Sequence, residues 1–337
     1  MRIGIVNDSP TAAEALRRAV TGSGEHRVAW IACDGVHAVR LCVDLPPDLV
    51  LMDLALPVLD GVEATRRIMQ MAPCPILVVT AAPQDNVNQV FRALGAGALD
   101  VTATPVLLGR GGEAALLAKI RTIGKLVGKT GRGTAAGAAS GAADSDVTHL
   151  VAIGASTGGP VALARVLARW QPPPDTAAVI VQHIDAAFAD QLVKWLGNQL
   201  PMPVRAIAPG DAPEGGVVQL ARTNDHLRLG ANLRFAYDQE PRDAVYRPSI
   251  DVFFHSVASH WERSATGVLL TGMGRDGAEG LLAMRRAGHA TLAQDEASCA
   301  VYGMPKAAAE LGAAQKILHL EGISRALLGR MPGPAQS

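Results

Sequence analysis

The sequence has few aromatic residues, no net charge and no long apolar run. Phe, Trp and Tyr make up 4% of its 337 residues, which argues against a surface that stacks nucleic-acid bases. The 31 basic and 31 acidic side chains cancel and no Lys/Arg block stands out, so the charge pattern also argues against a nucleic-acid partner. No apolar run reaches the roughly 18 residues that a membrane span needs, and the first residues do not form a secretory signal. We therefore expect a cytoplasmic protein without membrane insertion.

Cysteine is also scarce. Cys33, Cys42, Cys74 and Cys299 lie far apart and form no C-x-x-C motif. Their spacing indicates neither a disulfide framework nor a zinc site, and it predicts reduced core residues. What the chain does have is apolar content, at 49% of residues, and a length greater than one compact domain usually needs. These two properties predict two domains with sizeable cores.

A low-complexity segment divides the chain. Ten of the seventeen residues of KTGRGTAAGAASGAADS, at 129–145, are Gly or Ala and none is large and apolar, a composition typical of a flexible linker. Short apolar strands alternate with helical patterns on both sides of this segment, which predicts an α/β protein of two domains. The boundaries that we predict are 1–125 for the first domain, 126–147 for the linker and 148–330 for the second domain.

The first domain has five predicted strand–helix units, which indicate a five-stranded, doubly wound parallel sheet. The second domain is predicted to be a doubly wound, mostly parallel sheet with an antiparallel hairpin near 217–237, where two strands would flank the polar turn of VVQLARTNDHLRLG. The predicted strands lie at 2–6, 27–32, 48–53, 76–80, 98–102, 149–153, 178–182, 204–207, 217–220, 267–271 and 290–293, and the predicted helices at 10–21, 35–44, 61–71, 84–95, 113–127, 159–169, 186–200, 277–287 and 304–311.

Three oxygen-bearing side chains follow strands of the first domain. Asp8 comes after the first strand, Asp53 ends the third and Thr80 ends the fourth. In a doubly wound sheet the carboxyl ends of the strands form one edge, so these side chains should converge there. Two carboxylates suit Mg²⁺, which takes few protein ligands and several waters. The alternative for each residue alone is that it caps the helix that follows.

The segments NDSP, LVLMDLALPVLDGVEATRR and VVTA make residues 1–125 resemble a response-regulator receiver domain. The resemblance implies that Asp53 accepts a phosphoryl group from a histidine kinase. It implies also that Asp8, Asp53 and the backbone carbonyl of Ala55 hold Mg²⁺, and that Thr80 contacts the phosphoryl oxygens.

The first domain departs from the receiver pattern at two positions. Asn7 stands where the family often has a second acid. Thr104 precedes Pro105 where the family has a lysine. A lysine would place a positive charge on the phosphoryl group, whereas Thr104 offers only a neutral hydrogen bond. The coupling of phosphorylation to the rest of the receiver is therefore in question.

The stretch VAIGASTGGP, at 151–160, runs from an apolar strand into a turn of small residues. Its GASTG fits the G-x-S-x-G pattern of a strand–turn–helix that presents a serine, here Ser156. A phosphate-binding loop is less favoured, because the turn lacks the Lys-Ser/Thr pair and no acidic residue ends the next strand. A third alternative is that Ser156 only caps a helix.

A serine nucleophile needs a base and an acid that orients the base. His183 follows the apolar strand AAVIV, and Asp276 follows a buried strand in LLTGMGRDG. If these strands are parallel, their carboxyl ends lie on the same side as Ser156. Each residue alone also fits a structural role, His183 in a core and Asp276 at a helix cap. The order Ser, His, Asp differs from that of the α/β-hydrolases, so the serine turn does not indicate that fold.

The motifs GASTGGP, VQHI, YRPSIDVFFHS, TGMGRDGAEG and AVYGMPKAA make residues 148–325 resemble the catalytic domain of the CheB family of chemotaxis protein-glutamate methylesterases. The resemblance implies that Ser156 attacks the glutamyl methyl ester of a methyl-accepting chemoreceptor, that His183 takes its proton and that Asp276 orients the imidazole. The backbone N–H of Met273 would be the oxyanion donor. Methanol is the product, receptor glutamine deamidation is a plausible second activity, and the esterase site needs no cofactor.

The two resemblances together predict a phosphorylation-regulated methylesterase of two-component signalling. Asp185 follows the predicted base where the family usually has Met-Pro after Gln-His, which leaves the substrate range open. A DNA-binding response regulator is disfavoured, because the second half is too long, too neutral and too rich in strands. A catalytically weak regulator that binds the receptor or the kinase, and a nucleotide-binding α/β domain, remain alternatives.

Overall fold

The computed structural model describes residues 1–81, 87–105, 112–128 and 146–329. The chain separates into two compact units, Met1–Thr130 and Gly131–Ser337. The low-complexity segment at 129–145 lies outside the described residues.

The first unit is a five-stranded parallel sheet with helices between consecutive strands, as the strand–helix alternation predicts. Its order is β2-β1-β3-β4-β5. The strands are β1 (Arg2–Val6), β2 (Arg27–Ala32), β3 (Leu49–Met52), β4 (Ile76–Thr80) and β5 (Asp100–Ala103), and the helices are α1 (Pro10–Gly22), α2 (Gly35–Asp44), α3 (Gly61–Met71), α4 (Val87–Gly95) and α5 (Glu113–Gly128). The first residues of the helix predicted at 84–95 lie outside the described residues.

Side-chain caps and buried strands explain these elements. The side chains of Ser9, Asp34 and Asp60 each accept a backbone N–H at the start of a helix, which satisfies donors that the helix itself leaves unpaired. Every residue of β3 and β4 is buried, as expected for strands covered by helices on both faces.

The second unit contains a seven-stranded parallel sheet in the order β14-β13-β12-β6-β7-β9-β8 and a separate two-stranded hairpin. The strands are β6 (His149–Ala155), β7 (Thr176–Gln182), β8 (Val204–Ala206), β9 (Val218–Leu220), β10 (His226–Leu229), β11 (Phe235–Asp238), β12 (Ser264–Leu269), β13 (Ala290–Gln294) and β14 (Lys316–Leu318). The helices are α6 (Gly159–Leu167), α7 (Ala186–Gln199), α8 (Ile250–His260), α9 (Ala278–Arg286), α10 (Met304–Glu310) and α11 (Leu320–Leu328). Among the described residues, every helix is too short or too polar to cross a bilayer.

The antiparallel hairpin is confirmed, but it lies one element later than the sequence pattern predicts. Its strands are β10 and β11, which pair with Leu227 opposite Tyr237 and turn through 230–234. The segment at 217–220, expected as the first hairpin strand, instead forms β9 and pairs in parallel with β7 and β8. β9 is buried throughout, so it belongs in the middle of a covered sheet rather than at a half-exposed hairpin.

Helix α8 was not predicted from the sequence, and neither were β14 and α11. Six of the eleven residues of α8 are buried, including Phe253 and Phe254. The helix packs beneath the hairpin, where the hydroxyl of Ser256 accepts the N–H of Leu229 at 2.9 Å. Its less buried face carries Asp251, His255 and Ser259, four residues apart, so a helical spacing is present in the sequence but was overlooked.

The cysteines only partly match the expectation of reduced core residues. All four are free thiols, and Cys42 and Cys74 are buried. Cys33, however, is exposed and Cys299 is only partly buried.

We expect Gly61→Ala to destabilise the protein by about 1–3 kcal/mol, because a side chain there has no room. A Cβ at this position would lie 2.0 Å from the backbone oxygen of Asp53 and 2.8 Å from the Cα of Leu54. Calorimetric unfolding of the full chain measures the effect. Gly22→Ala is the matched control, because a Cβ at Gly22 meets nothing within 4 Å. Equal stabilities of the two variants would contradict the steric argument.

Candidate active site

Ser156 lies directly after β6, at the carboxyl edge of the seven-stranded sheet. Its side chain points into a nearly closed site, since the residue is 6% exposed. Its backbone is held on both sides: the N–H donates to the carbonyl of Thr271 at 3.0 Å, and the carbonyl accepts Nε2 of Gln182 at 2.8 Å. The turn that follows needs glycine, because Gly158 has φ +78° and a Cβ there would lie 2.5 Å from that of Ala300.

The loop after β12 approaches the serine closely. A Cβ at Gly272 would lie 2.6 Å from the Cβ of Ser156 and 2.3 Å from the sulfur of Met304. The carbonyl of Gly272 accepts the N–H groups of Gly303 and Met304, which fixes the loop against the start of α10. The loop backbone therefore lies against Ser156 without an intervening side chain.

His183 lies directly after β7 and beside Ser156. The strands β6 and β7 pair in parallel with Ala155 opposite Gln182, and the N–H of His183 donates to the carbonyl of Ala155 at 3.0 Å. The imidazole Nε2 lies 2.7 Å from Oδ2 of Asp276. Its Nδ1 is buried and has no hydrogen-bond partner among the described residues. The structure therefore joins His183 to Asp276 directly and places Ser156 at the adjacent strand end, with no hydrogen bond between the hydroxyl and the imidazole.

Asp276 accepts four hydrogen bonds. Besides His183, the donors are the hydroxyl of Ser249 at 2.7 Å, the N–H of Ile250 at 2.6 Å and the N–H of Asp251 at 3.1 Å. The last three donors form the amino-terminal end of α8. The alternative that Asp276 caps the helix after it is therefore wrong: the N-cap of α9 is Gly277, and the carboxylate caps α8 instead.

These donors keep Asp276 ionised. Burial alone would raise the pKa of its carboxyl, but the hydrogen bond and charge of His183, with the N–H of Ile250 and the hydroxyl of Ser249, hold the pKa below its usual value. A carboxylate in this position selects the imidazole tautomer with the proton on Nε2, because that nitrogen must donate. Nδ1 is then left with a lone pair that can accept a proton.

Asp251 makes the equivalent contact with the neighbouring helix, α9. It lies in the first turn of α8, and its Oδ1 accepts the N–H of Gly280 in the first turn of α9 at 2.7 Å. Burial and the negative charge of Asp276 raise the pKa of Asp251. The two carboxyl groups therefore form a buried pair in which Asp276 carries the charge and Asp251 keeps a proton below its raised pKa.

Tyr246 contacts two parts of the site at once. Its ring stacks on the imidazole of His183, with ring centroids 4.0 Å apart and planes 10° from parallel. Its hydroxyl donates to the carbonyl of Met273 at 3.0 Å. Among the described residues, the N–H of Met273 donates no hydrogen bond, so it is available to a ligand.

Sequence reasoning missed Tyr246, Ser249 and Gln182 as parts of the site. All three belong to motifs that the family resemblance singles out, but no spacing rule assigns them a contact. Asp185 has a plain structural role as the N-cap of α7, where it accepts the N–H of Ala187.

The first unit places Asp53 at the carboxyl edge of its own sheet. One carboxylate oxygen accepts the N–H groups of Leu54 at 2.7 Å and Ala55 at 3.3 Å. The other accepts Nδ2 of Asn7 at 2.9 Å. Asn7, which the sequence marks only as a departure from the family pattern, therefore holds the carboxylate in place.

The charge at this edge suits a divalent cation. Burial raises the pKa of Asp53, its two backbone donors oppose that shift, and the charge of exposed Asp8 adds to it. A cation would offset this repulsion between carboxylates. Thr80 is buried on the neighbouring strand, and its carbonyl accepts the N–H of Thr104 at 3.0 Å. The edge thus contains Asp8, Asp53, Thr80 and Thr104.

We expect Asp251→Asn to remove one contribution to the free energy of unfolding, a contribution that falls as the pH rises between about 5 and 8. The pKa of Asp251 is raised to about 8 in the fold, against about 3.9 for an unfolded aspartate. A raised pKa contributes stability that is complete below the unfolded value and lost as the pH passes the folded value. One proton corresponds to about 1.4 kcal/mol per pH unit. Asparagine keeps an acceptor for the N–H of Gly280 and, like the protonated carboxyl, it also keeps a donor.

Urea unfolding at several pH values, followed by tryptophan fluorescence, measures the slope. Asp190→Asn, which changes an exposed carboxylate on α7, is the control and should keep the parent's slope. The same pH dependence in Asp251→Asn and the parent would contradict the assignment.

Two family models match the two units of the chain. A family model described as CheB methylesterase matches residues 151–327, and one described as response regulator receiver domain matches residues 3–109. The crystal structure of the Thermotoga maritima CheB methylesterase catalytic domain is 30% identical in sequence. It superposes with a TM-score of 0.51 and covers 55% of this chain and 99% of its own.

Full-length relatives match almost the whole chain. The Burkholderia thailandensis protein-glutamate methylesterase/protein-glutamine glutaminase 4 is 54% identical over 332 residues, which cover 97% of each protein. The Pseudomonas aeruginosa protein-glutamate methylesterase/protein-glutamine glutaminase 3 is 51% identical and covers 96% of this chain and 98% of its own. The chain therefore belongs to the CheB methylesterase family, the protein-glutamate methylesterases/protein-glutamine glutaminases, and carries a response-regulator receiver domain at its amino-terminal end.

Proposed function

We propose that the protein hydrolyses glutamyl methyl esters of methyl-accepting chemoreceptors with Ser156 as the nucleophile, His183 as the base and Asp276 as the acid that orients the base. The observation that carries the proposal is the 2.7 Å hydrogen bond between His183 and the ionised Asp276, formed beside the strand end that presents Ser156. Family membership supports the substrate class, and this geometry supports the proposed roles of the residues.

The base acts through Nδ1. Since Nε2 donates to Asp276, the lone pair on Nδ1 takes the hydroxyl proton as Ser156 attacks the ester carbonyl. In the chymotrypsin arrangement the two nitrogens have the opposite roles, but the logic is the same, because one nitrogen is fixed by the carboxylate and the other moves the proton. The hydroxyl and Nδ1 would form this hydrogen bond only around substrate, as in other sites that tighten on binding.

The loop after β12 supplies the oxyanion donor. The N–H of Met273 has no acceptor among the described residues, and the adjacent Gly272 lies against Ser156. A backbone N–H fixed at such a position stabilises the negative oxygen of the tetrahedral intermediate. His183 then protonates the departing methanol, and water releases the acyl group. Attack on a glutamine amide follows the same course with ammonia as the leaving group. No part of this route needs a cofactor.

We expect Ser156→Ala to lower methanol release from a methylated receptor by several orders of magnitude, since loss of the nucleophile in a comparable protease triad costs about 10⁶-fold. Ser23→Ala, a serine of the first unit at the end of α1, is the control and should keep full turnover. An effect below about threefold for Ser156→Ala, in a protein of native stability, would leave Ser156 as a structural residue only.

For the first unit the proposal is that Asp53 accepts a phosphoryl group from a histidine kinase. Asp8, Asp53 and the backbone carbonyl of Ala55 would hold Mg²⁺, and Thr80 would contact the phosphoryl oxygens. The raised pKa of Asp53 beside Asp8 supports a cation there. Mg²⁺ when bound neutralises negative charge on the phosphoryl oxygens. Asn7 positions the attacking carboxylate.

Within the family, the opening MRIGIVNDSPTAAEALRR and the absence of the receiver lysine resemble WspF, the methylesterase of the Wsp surface-sensing pathway, and we propose that the chain belongs to that subgroup. The functional boundaries that we propose are 1–125 for the receiver, 126–147 for the linker and 148–330 for the esterase. Helix α5 extends to Gly128, three residues past the proposed receiver boundary.

We expect a small phosphodonor with Mg²⁺ to stimulate methanol release, and Asp53→Ala to abolish the stimulation without lowering basal turnover. The reason is that no other carboxylate of the first unit is fixed between backbone donors at this edge within the described residues. Asp48→Asn, at the opposite end of β3, is the control and should keep the response. Unchanged stimulation in Asp53→Ala would refute the phosphoacceptor.

A further inference from the structure

The segment 246–250, which leads into α8, connects three parts of the catalytic site. Ser249 and Ile250 donate to Asp276, and Tyr246, three residues earlier, contacts His183 and the Met273 peptide. Neither the sequence pattern nor the proposed chemistry assigns Tyr246 a role.

The imidazole of His183 has one hydrogen bond on its ring, from Nε2 to Asp276. One hydrogen bond fixes the position of that nitrogen but leaves the ring plane able to rock about it. The proton transfer needs the lone pair on Nδ1 to point at Ser156, and that lone pair lies in the ring plane. Something other than Asp276 must therefore fix the plane.

Tyr246 provides that restraint. Its ring lies parallel to the imidazole to within 10°, with centroids 4.0 Å apart. A tilt of either ring would therefore open a gap at one edge of the stack and cause a steric clash at the other. The imidazolium that forms during attack lies over the electron-rich face of the tyrosine, which attracts a cation. The stack is therefore most favourable when the base holds the proton.

The hydroxyl of the same side chain restrains the oxyanion loop. It donates to the carbonyl of Met273 at 3.0 Å. The preceding peptide of the loop carries the Met273 N–H that we assign to the oxyanion. One tyrosine thus fixes the distance between the base and the oxyanion donor.

We propose that Tyr246 is a positioning residue of the esterase reaction, whose ring holds the plane of the His183 imidazole and whose hydroxyl holds the Met273 loop. The proposal rests on the proposed function, since it assigns Tyr246 a part in the same reaction. Both contacts act on groups that matter in the transition state, so their loss lowers kcat rather than raising KM.

Two substitutions separate the two contacts. Tyr246→Phe keeps the stack and removes the hydroxyl, and we expect kcat for methanol release to fall about three- to tenfold, the effect of one hydrogen bond. Tyr246→Leu removes both contacts, and we expect kcat to fall about 10²-fold, as a misplaced catalytic group does. KM should change less than about threefold in both variants, since neither contact holds the ground-state substrate.

Tyr237→Phe is the matched control. The Tyr237 hydroxyl, on β11, also donates to a backbone carbonyl at 3.0 Å, that of Ile207, and accepts the N–H of Arg222, and neither partner belongs to the catalytic site. This variant should lose stability and keep kcat. A kcat loss in Tyr237→Phe equal to that in Tyr246→Phe would overturn the proposal, because the effect would then be structural.

A second measurement tests the link to the base. The rate at which a fluorophosphonate probe labels Ser156 depends on the base but not on receptor docking. We expect Tyr246→Leu to slow labelling when it is the only substitution and to have no further effect when His183→Ala is already present. The reason is that the effects of substitutions at residues that act as one unit do not add. An equal slowing in both backgrounds, or a kcat for Tyr246→Leu within twofold of the parent, would overturn the proposal.

The outcomes also distinguish this inference from the proposed function. Full turnover in Ser156→Ala would refute the function and the inference together. Loss of turnover in Ser156→Ala with normal kcat in Tyr246→Leu would refute the inference alone. If Tyr246→Leu does not fold, the Tyr246→Phe and Tyr237→Phe comparison decides.

Discussion

A carboxylate buried away from water is the constraint on which the catalytic unit depends. Such a charge is costly unless hydrogen-bond donors replace its hydration. For Asp276 the replacement is complete, because Ser249, Ile250 and Asp251 donate from the start of α8 and His183 donates from the end of β7. The position of the imidazole Nε2 follows from this requirement, because it supplies the donor that the helix does not.

The same requirement fixes two helices against each other. Asp276, which precedes α9, binds the amino-terminal end of α8, and Asp251 in α8 binds the first turn of α9. The helices approach so closely that a Cβ at Gly280 would lie 2.8 Å from the backbone oxygen of Asp251. The ionised Asp276 faces the positive end of the α8 dipole, which favours its charge. The proton that Asp251 keeps relieves the repulsion between the two carboxyl groups.

The sequence predicts much of the fold and of the site, because the end of an apolar run shows where a buried strand ends. Ser156, His183 and Asp276 each follow an apolar strand, and parallel strands bring such residues to one edge. The segment 217–220 shows where this reasoning stops: it looked like a hairpin strand because a polar turn follows it, whereas its partners β7 and β8 both precede it in the chain. Nothing in the sequence indicates which residue the start of α8 binds, so its role as donor to Asp276 could not be foreseen. The alternative role of Asp276 as the cap of α9 was wrong, since the contact that it makes instead, with α8, is long-range.

The hydrogen bonds that converge on Asp276 come from residues 183 and 249–251, which are distant from residue 276 in the chain. If α8 is not docked, the carboxylate loses the donors of that helix's amino-terminal end even where the strands that carry Ser156 and His183 have paired. A copy of the chain in that state presents a serine without a fixed base. Hydrolytic competence therefore depends on tertiary contacts that the paired strands alone do not supply.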